Sequence, residues 1–176
     1  MALKVGLGIV VLIVAFLAFV STKDGKFRYE RSGVIKASPE VIYPYLSQFK
    51  LGKQWSPYEK TDPNMMQTYG GIEGQVGSFM EWDGNAKAGA GRIEITNIVP
   101  NQQVDLHLHM SKPFSGDNHV AYKLTPEADG TRFTWSMDGD GGFMGKLMGT
   151  LIDCEKMIGG QFDEGIANLK KVVEVK

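Results

Sequence analysis

The chain has 176 residues, a formal net charge of −1 and 43% hydrophobic residues. That length fits one domain plus an appendage, since typical domains run about 100 to 150 residues, and balanced charge without a Lys/Arg-rich block excludes a phosphate-backbone-binding surface, so no nucleic-acid partner is expected. The single cysteine, Cys154, excludes an intramolecular disulfide and any cysteine-cluster metal site.

From Val5 to Val20 the chain is apolar and uncharged, with Lys4 before the run and Lys23, Asp24, Lys26 and Arg28 after it. Taken as a helix with Lys4 snorkelling, Ala2 to Thr22 approaches the ~30 Å thickness of a bilayer's hydrocarbon core. A cleaved signal peptide is the competing reading. Cuts after Ala18 or Ser21 would put the large residues Phe16 or Phe19 where a small one is required, so an uncleaved single-pass anchor is favoured. Residues 1–26 are therefore assigned to anchor and linker and 27–176 to a folded domain. The basic residues following the segment lean toward a cytoplasmic domain by the positive-inside rule.

Phe27 to Lys36 suggests a first strand. Ser38, Pro39 and Glu40 then carry the signals of a helix start, and Pro44 requires that helix to be short and kinked. Gly52 to Pro63 is expected to be irregular, with one further helical turn. Six strand candidates follow, at Gln67 to Ile72, Gly77 to Trp82, Lys87 to Val99, Gln103 to Met110, His119 to Thr125 and Thr131 to Asp138. Turn residues such as Asp83-Gly84-Asn85 and Asp129-Gly130 separate them, and such short connections imply antiparallel neighbours. Alternation puts Ile93, Ile95, Val104, Leu106, Leu108, Met110, Val120, Tyr122, Leu124, Phe133, Trp135 and Met137 on one face. Arg92, Glu94, Asp105, His107, His109, Lys123, Arg132 and Thr134 fall on the other.

Between Phe143 and Val173, apolar residues recur at steps of three and four, which predicts one amphipathic helix about 45 Å long, enough to cross a whole sheet. Gly145, Gly149, Gly159, Gly160 and Gly165 weaken that helix by propensity, so packing must hold it. Met144, Met148 and Met157 suit either an irregular core or a cavity wall, and both readings stand.

The order of strand, short helices, antiparallel strands and long terminal helix is that of an α+β helix-grip fold: a curved antiparallel sheet wrapped around the final helix. More closely, Val34-Ile35-Lys36-Ala37-Ser38-Pro39-Glu40-Val41-Ile42, Pro44-Tyr45-Leu46, Trp55-Ser56-Pro57, Glu81-Trp82, Gly91-Arg92-Ile93-Glu94-Ile95, Gly130-Thr131-Arg132-Phe133-Thr134-Trp135 and Phe143-Met144-Gly145-Lys146 resemble the polyketide-cyclase-like branch of the START/Bet v 1 (SRPBCC) superfamily. The resemblance covers about Phe27 to Val173. It implies a deep apolar cavity between sheet and terminal helix that holds a lipid, sterol, polyketide or similar small molecule, and it does not imply one activity.

Such a cavity would take its walls from Trp82, Leu106, Leu108, Tyr122, Phe133, Trp135 and Met137 on the sheet and Met144, Leu147, Met148, Leu151 and Met157 on the helix. Of the ionisable groups only Tyr122 falls clearly on the inner face, so no catalytic set is assembled and no cofactor is called for. His107, His109 and His119 share the outer face without a clearly placed carboxylate, and no metal site is assigned. Gly139 to Lys146 fails the phosphate-loop pattern at Asp140 and Leu147. The leading expectation is a membrane-anchored carrier or sensor of a small hydrophobic or amphipathic ligand. A cyclase- or dehydratase-like enzyme, or an accessory factor of a membrane complex, are the alternatives.

Overall fold

The computed structural model describes residues 2–174; Met1, Val175 and Lys176, the outer ends of the two expected segments, lie outside the described residues. The apolar N-terminal run forms helix α1 (Ala2–Ser21). Strand β1 (Lys26–Ile35) follows, then helix α2 (Pro39–Ser47), which starts with Pro39 after an extended Ser38 and ends three residues beyond Pro44. Two 3₁₀ turns, Phe49–Gln54 and Pro57–Lys60, occupy the stretch expected to be irregular. Then come β2 (Met66–Gly70), β3 (Phe79–Asp83), β4 (Ala90–Val99), β5 (Gln103–Lys112), β6 (Gly116–Glu127) and β7 (Gly130–Asp140). These strands lie within a few residues of the segments picked out by alternation.

The described strands form one antiparallel sheet in the order β1-β7-β6-β5-β4-β3-β2. Val104, Leu106, Val120, Tyr122, Leu124, Phe133 and Trp135 are buried on its inner face, as their alternation requires, while Arg92, Glu94, His107 and Lys123 stay at least partly in water. This is the helix-grip architecture, with one change at its C-terminal end.

The expected single helix is two. Helix α3 (Gly142–Leu151) stops at Ile152, whose backbone is extended, and helix α4 (Cys154–Val173) restarts with Asp153 as its N-cap, the carboxylate accepting from the Lys156 N–H at 3.0 Å. Apolar spacing runs through the break unchanged, which is why periodicity alone joined the halves. Only α4 grips the sheet. Its Phe162, Ile166, Leu169 and Val173 complete the core, and Arg31 of β1 reaches it with ion pairs to Glu155 (2.8 Å) and Asp163 (3.2 Å). The guanidinium lies over Gly159, where a Cβ would collide with it, and at Gly165 a Cβ would come within 2.6 Å of the Trp135 ring. Those two glycines let helix and sheet approach closely. Helix α3 departs from the sheet and packs against α1 instead.

Candidate ligand-binding cavity

Register locates the two ends of the sheet. Lys26 at the start of β1 faces Asp140 at the end of β7, Gly139 faces Asn118, Gly116 faces Met110, Lys112 faces Ala90, and Ala90 faces Asp83. All of these strand ends therefore lie on the side where α1 joins the domain. The opposite end holds Ile35, Val104, Leu124 and Phe133, each at most 4% exposed, and is packed solid.

Near the α1 side the core opens into a cavity of about 340 Å³. Trp55, Tyr122, Trp135 and Phe162 form its aromatic floor: Trp135 stacks on Phe162 at 4.3 Å between centroids, and Trp55 meets Tyr122 and Trp135 edge-on at 6.0 and 5.4 Å. Trp55 is fixed by its indole N–H, which donates to the Tyr45 carbonyl at 2.9 Å. Met80, Trp82, Ile93, Leu108, Met110 and Met137 line the sheet side; Tyr45, Phe49 and Tyr58 come from α2 and the 3₁₀ turns, and Ile158 from α4.

Of the residues expected at such walls, Trp82, Leu108, Tyr122, Trp135 and Met137 are there. The others are elsewhere. Leu106, which pairs with the lining residue Val120, and Phe133, the next inward position beyond Trp135, are fully buried by their neighbours and form no part of the lining. Met144, Leu147, Met148 and Leu151 ride on α3, which turned away when Asp153 started a new helix, and Met157 is 54% exposed on α4. In their place Ile158 and Phe162 form the helical wall. Also absent from the expectation are Tyr45, Phe49 and Tyr58, hidden by the prolines and glycines around them. Met80 and Asn118 are missed too, although both are in phase with inward neighbours Trp82 and Val120.

Polar groups are few in this lining, but they exceed the one tyrosine expected. Burial pushes the Tyr122 phenol well above its ordinary value of 10, with Tyr58 adding to the effect. Tyr58 is raised by burial as well, its ring packed edge-on to Trp135 at 6.1 Å, although the residue as a whole is 44% exposed. Both phenols thus remain neutral hydrogen-bond donors across the physiological range. Glu59, Lys87, Gln48 and Asn118 reach the wall, and the Glu59 carboxylate accepts from Gln67 Nε2 at 2.6 Å. Among the described residues no group of three or more His, Cys, Asp or Glu is arranged to hold a metal ion.

Outside, the three histidines do have carboxylate partners, contrary to expectation. Asp117 Oδ1 lies 2.9 Å from both His107 Nε2 and His109 Nδ1, and His119 contacts Asp138 at 3.3 Å and Asp105 at 3.5 Å. Hydrogen bonding from His109, reinforced by His107, holds the Asp117 carboxyl below the usual aspartate range. These groups sit on the solvent side of the sheet and do not reach the cavity.

With fold and cavity described, comparison with known proteins identifies the family. The profile of the family described as polyketide cyclase / dehydrase and lipid transport matches residues 26–174. The chain belongs to that family. Among solved structures, a Mesorhizobium loti protein is 15% identical with a TM-score of 0.64, covering 85% of this chain and 98% of its own. The Aha1 dimer from Colwellia psychrerythraea is 20% identical at a TM-score of 0.61, covering 85% and 97%. A major latex-like protein of Panax ginseng is 14% identical at 0.57, covering 85% and 98%. These likenesses establish a Bet v 1-like fold for this member of the polyketide cyclase / dehydrase and lipid transport family. Comparison with curated proteins gives no match.

Proposed function

We propose that this family member is a membrane-tethered carrier or sensor that holds one small apolar or amphipathic molecule without transforming it. The observation that carries this reading is the apolar, aromatic-floored cavity placed at the end of the sheet from which α1 leaves. Its volume of about 340 Å³ falls within the range of small-molecule pockets. Burying roughly 300 Å² of ligand apolar surface at about 25 cal/mol per Å² gives about 7 kcal/mol before entropy costs, which supports micromolar to millimolar binding with broad specificity. The Tyr58 and Tyr122 phenols would favour a ligand bearing a hydrogen-bond acceptor.

Residues 1–26 serve as anchor and linker in this reading and 27–176 as the binding domain. Lys4–Ser21 has the length and mean hydropathy, 2.5, to cross a bilayer, and only 6% of it is buried against the protein. The basic residues after α1 favour a cytoplasmic domain.

Native mass spectrometry of the detergent-purified chain after exposure to a lipid extract tests the proposal, together with titration of a fluorescent fatty acid. Wild type should retain a ligand and titrate in the micromolar to millimolar range, and Leu108→Trp, which fills the cavity, should weaken binding about tenfold or more. A chain that retains nothing, or a variant that binds as wild type does, overturns it. One observation favours an enzyme as second reading: Glu59 puts a carboxylate on the cavity wall. Turnover of a polyketide-like substrate that Glu59→Gln abolishes without loss of binding would decide for that reading.

A further inference from the structure

Helix α3 is unlike the rest of the domain. Successive residues turn by 100° on a helix, so Phe143, Leu147, Leu151, Met144 and Met148 fall within one continuous arc, with Gly145, Gly149, Lys146 and Thr150 on the remainder. The sheet does not cover that arc: Phe143 is 46% exposed, Met144 38% and Leu151 63%, and Ile152 continues the patch. An apolar surface of this kind on a soluble domain marks an interaction site.

The end of α1 lies beside it. Helix α3 packs on α1, Lys146 donates from Nζ to the Ser21 carbonyl at 3.2 Å, and the Gly141 N–H donates to the Gly25 carbonyl at 3.0 Å. These bonds fix α3 at the level where α1 ends. Helix α3 has no acidic residue and one cation, Lys146, which lies outside the apolar arc. That combination of a short apolar face with a basic flank is what the headgroup boundary of a bilayer accepts.

We infer that α3 is a second membrane element, lying in the bilayer interface beside the α1 span with the exposed Phe143, Met144 and Leu151 among the acyl chains and the half-buried Leu147 and Met148 completing the arc. The inference rests on the reading of α1 as an anchor. Because α3 continues through Ile152 and Asp153 into the first turns of α4, where Ile158 lines the cavity, this helix holds the cavity end of the domain against the lipid surface.

The test uses the full chain with Cys154→Ser and one new cysteine carrying an environment-sensitive fluorophore, at Leu12→Cys in α1, Leu151→Cys in α3 or His107→Cys on the outer sheet face. Each is reconstituted in phosphatidylcholine and phosphatidylglycerol vesicles. A nitroxide placed high on a lipid acyl chain should quench the Leu151→Cys label about twofold while an aqueous quencher has little effect, and the His107→Cys label should respond the opposite way. A Leu12→Cys label in lipid with the Leu151→Cys label in water overturns the inference and leaves the anchor standing. Should the Leu12→Cys label also be in water, anchor and inference fall together. Shielding of the Leu151→Cys label from both quenchers would mean that protein, a second copy of this chain included, covers α3, and this too overturns it.

Discussion

The two ends of the sheet have the same alternation and different interiors. Away from α1, the second half of α4 offers Ile166, Leu169 and Val173 at helical spacing, and they fill the space above Ile35, Leu124 and Phe133 to full burial. Near α1, α3 has already left the sheet, so from α4 only Ile158 and Phe162 project toward Met137, Leu108 and Met110. Emptiness at that end comes from missing helical side chains, while the strands beneath are as apolar as their packed counterparts. The difference teaches that an apolar sheet face specifies a core only where an opposing element supplies side chains to fill it.

Substitutions that sharpen this contrast begin in the packed half. Phe133→Ala should cost about 3 to 5 kcal/mol, whereas Leu108→Ala at the cavity wall should cost about 1 to 2, because its neighbours already lack part of their packing. Urea unfolding of the detergent-solubilised chain measures both, and equal losses would erase the distinction.

Within α4, Gly165→Ala drives a methyl group into the Trp135 ring and Pro57 and should cost about 1 to 3 kcal/mol despite better helix propensity. Gly160→Ala meets nothing within 4 Å and should gain about 0.5 to 1 kcal/mol by the same assay. A destabilised Gly160→Ala would mean that the outer side of the helix is more crowded than described.

The smallest effect concerns acid. Glu73 accepts from the Lys50 N–H at 2.9 Å and pairs with its ammonium at 3.1 Å, tying the turn before β3 to the 3₁₀ turn that carries Phe49. Burial by itself would raise this carboxyl, but the Lys50 N–H and ammonium together bring it below the ordinary 4.5. A depressed carboxyl stabilises the fold above the unfolded-state value and loses that contribution as pH falls through the folded one. Melting temperature should thus drop slightly on acidification below about pH 4.5, and Glu73→Gln should flatten the drop. An unchanged slope in the variant would remove Glu73 from the account.

Most of the sheet was legible because a half-buried strand repeats every second residue, and Val104 to Met110 or Phe133 to Met137 keep that period without interruption. The helix break was not. Leu151, Cys154 and Ile158 continue the three-and-four spacing across it, and Asp153 reads equally well as a solvated residue or as a cap until its bond to Lys156 is seen. Loss of the break misplaced Met144, Leu147, Met148 and Leu151 on a cavity they do not reach. Tyr45, Phe49, Trp55 and Tyr58 were illegible as a wall for another reason: their positions depend on how α2 and two 3₁₀ turns fold over the sheet, and no short-range period encodes that. Asn118 was lost because a polar residue at an inward position looks like the turn before the strand.

Among the described strands, the order leaves β1 and β2 each paired on one side only. Tethering to a bilayer, as proposed, would crowd copies of the protein into a plane and multiply their sideways encounters, conditions under which bare sheet margins tend to join. The outermost strands are poor templates for such joining: β2 is five residues long, and β1 presents Arg28, Glu30 and Arg31 along its length. A protein built this way can accumulate on a membrane without its sheets fusing into larger ones.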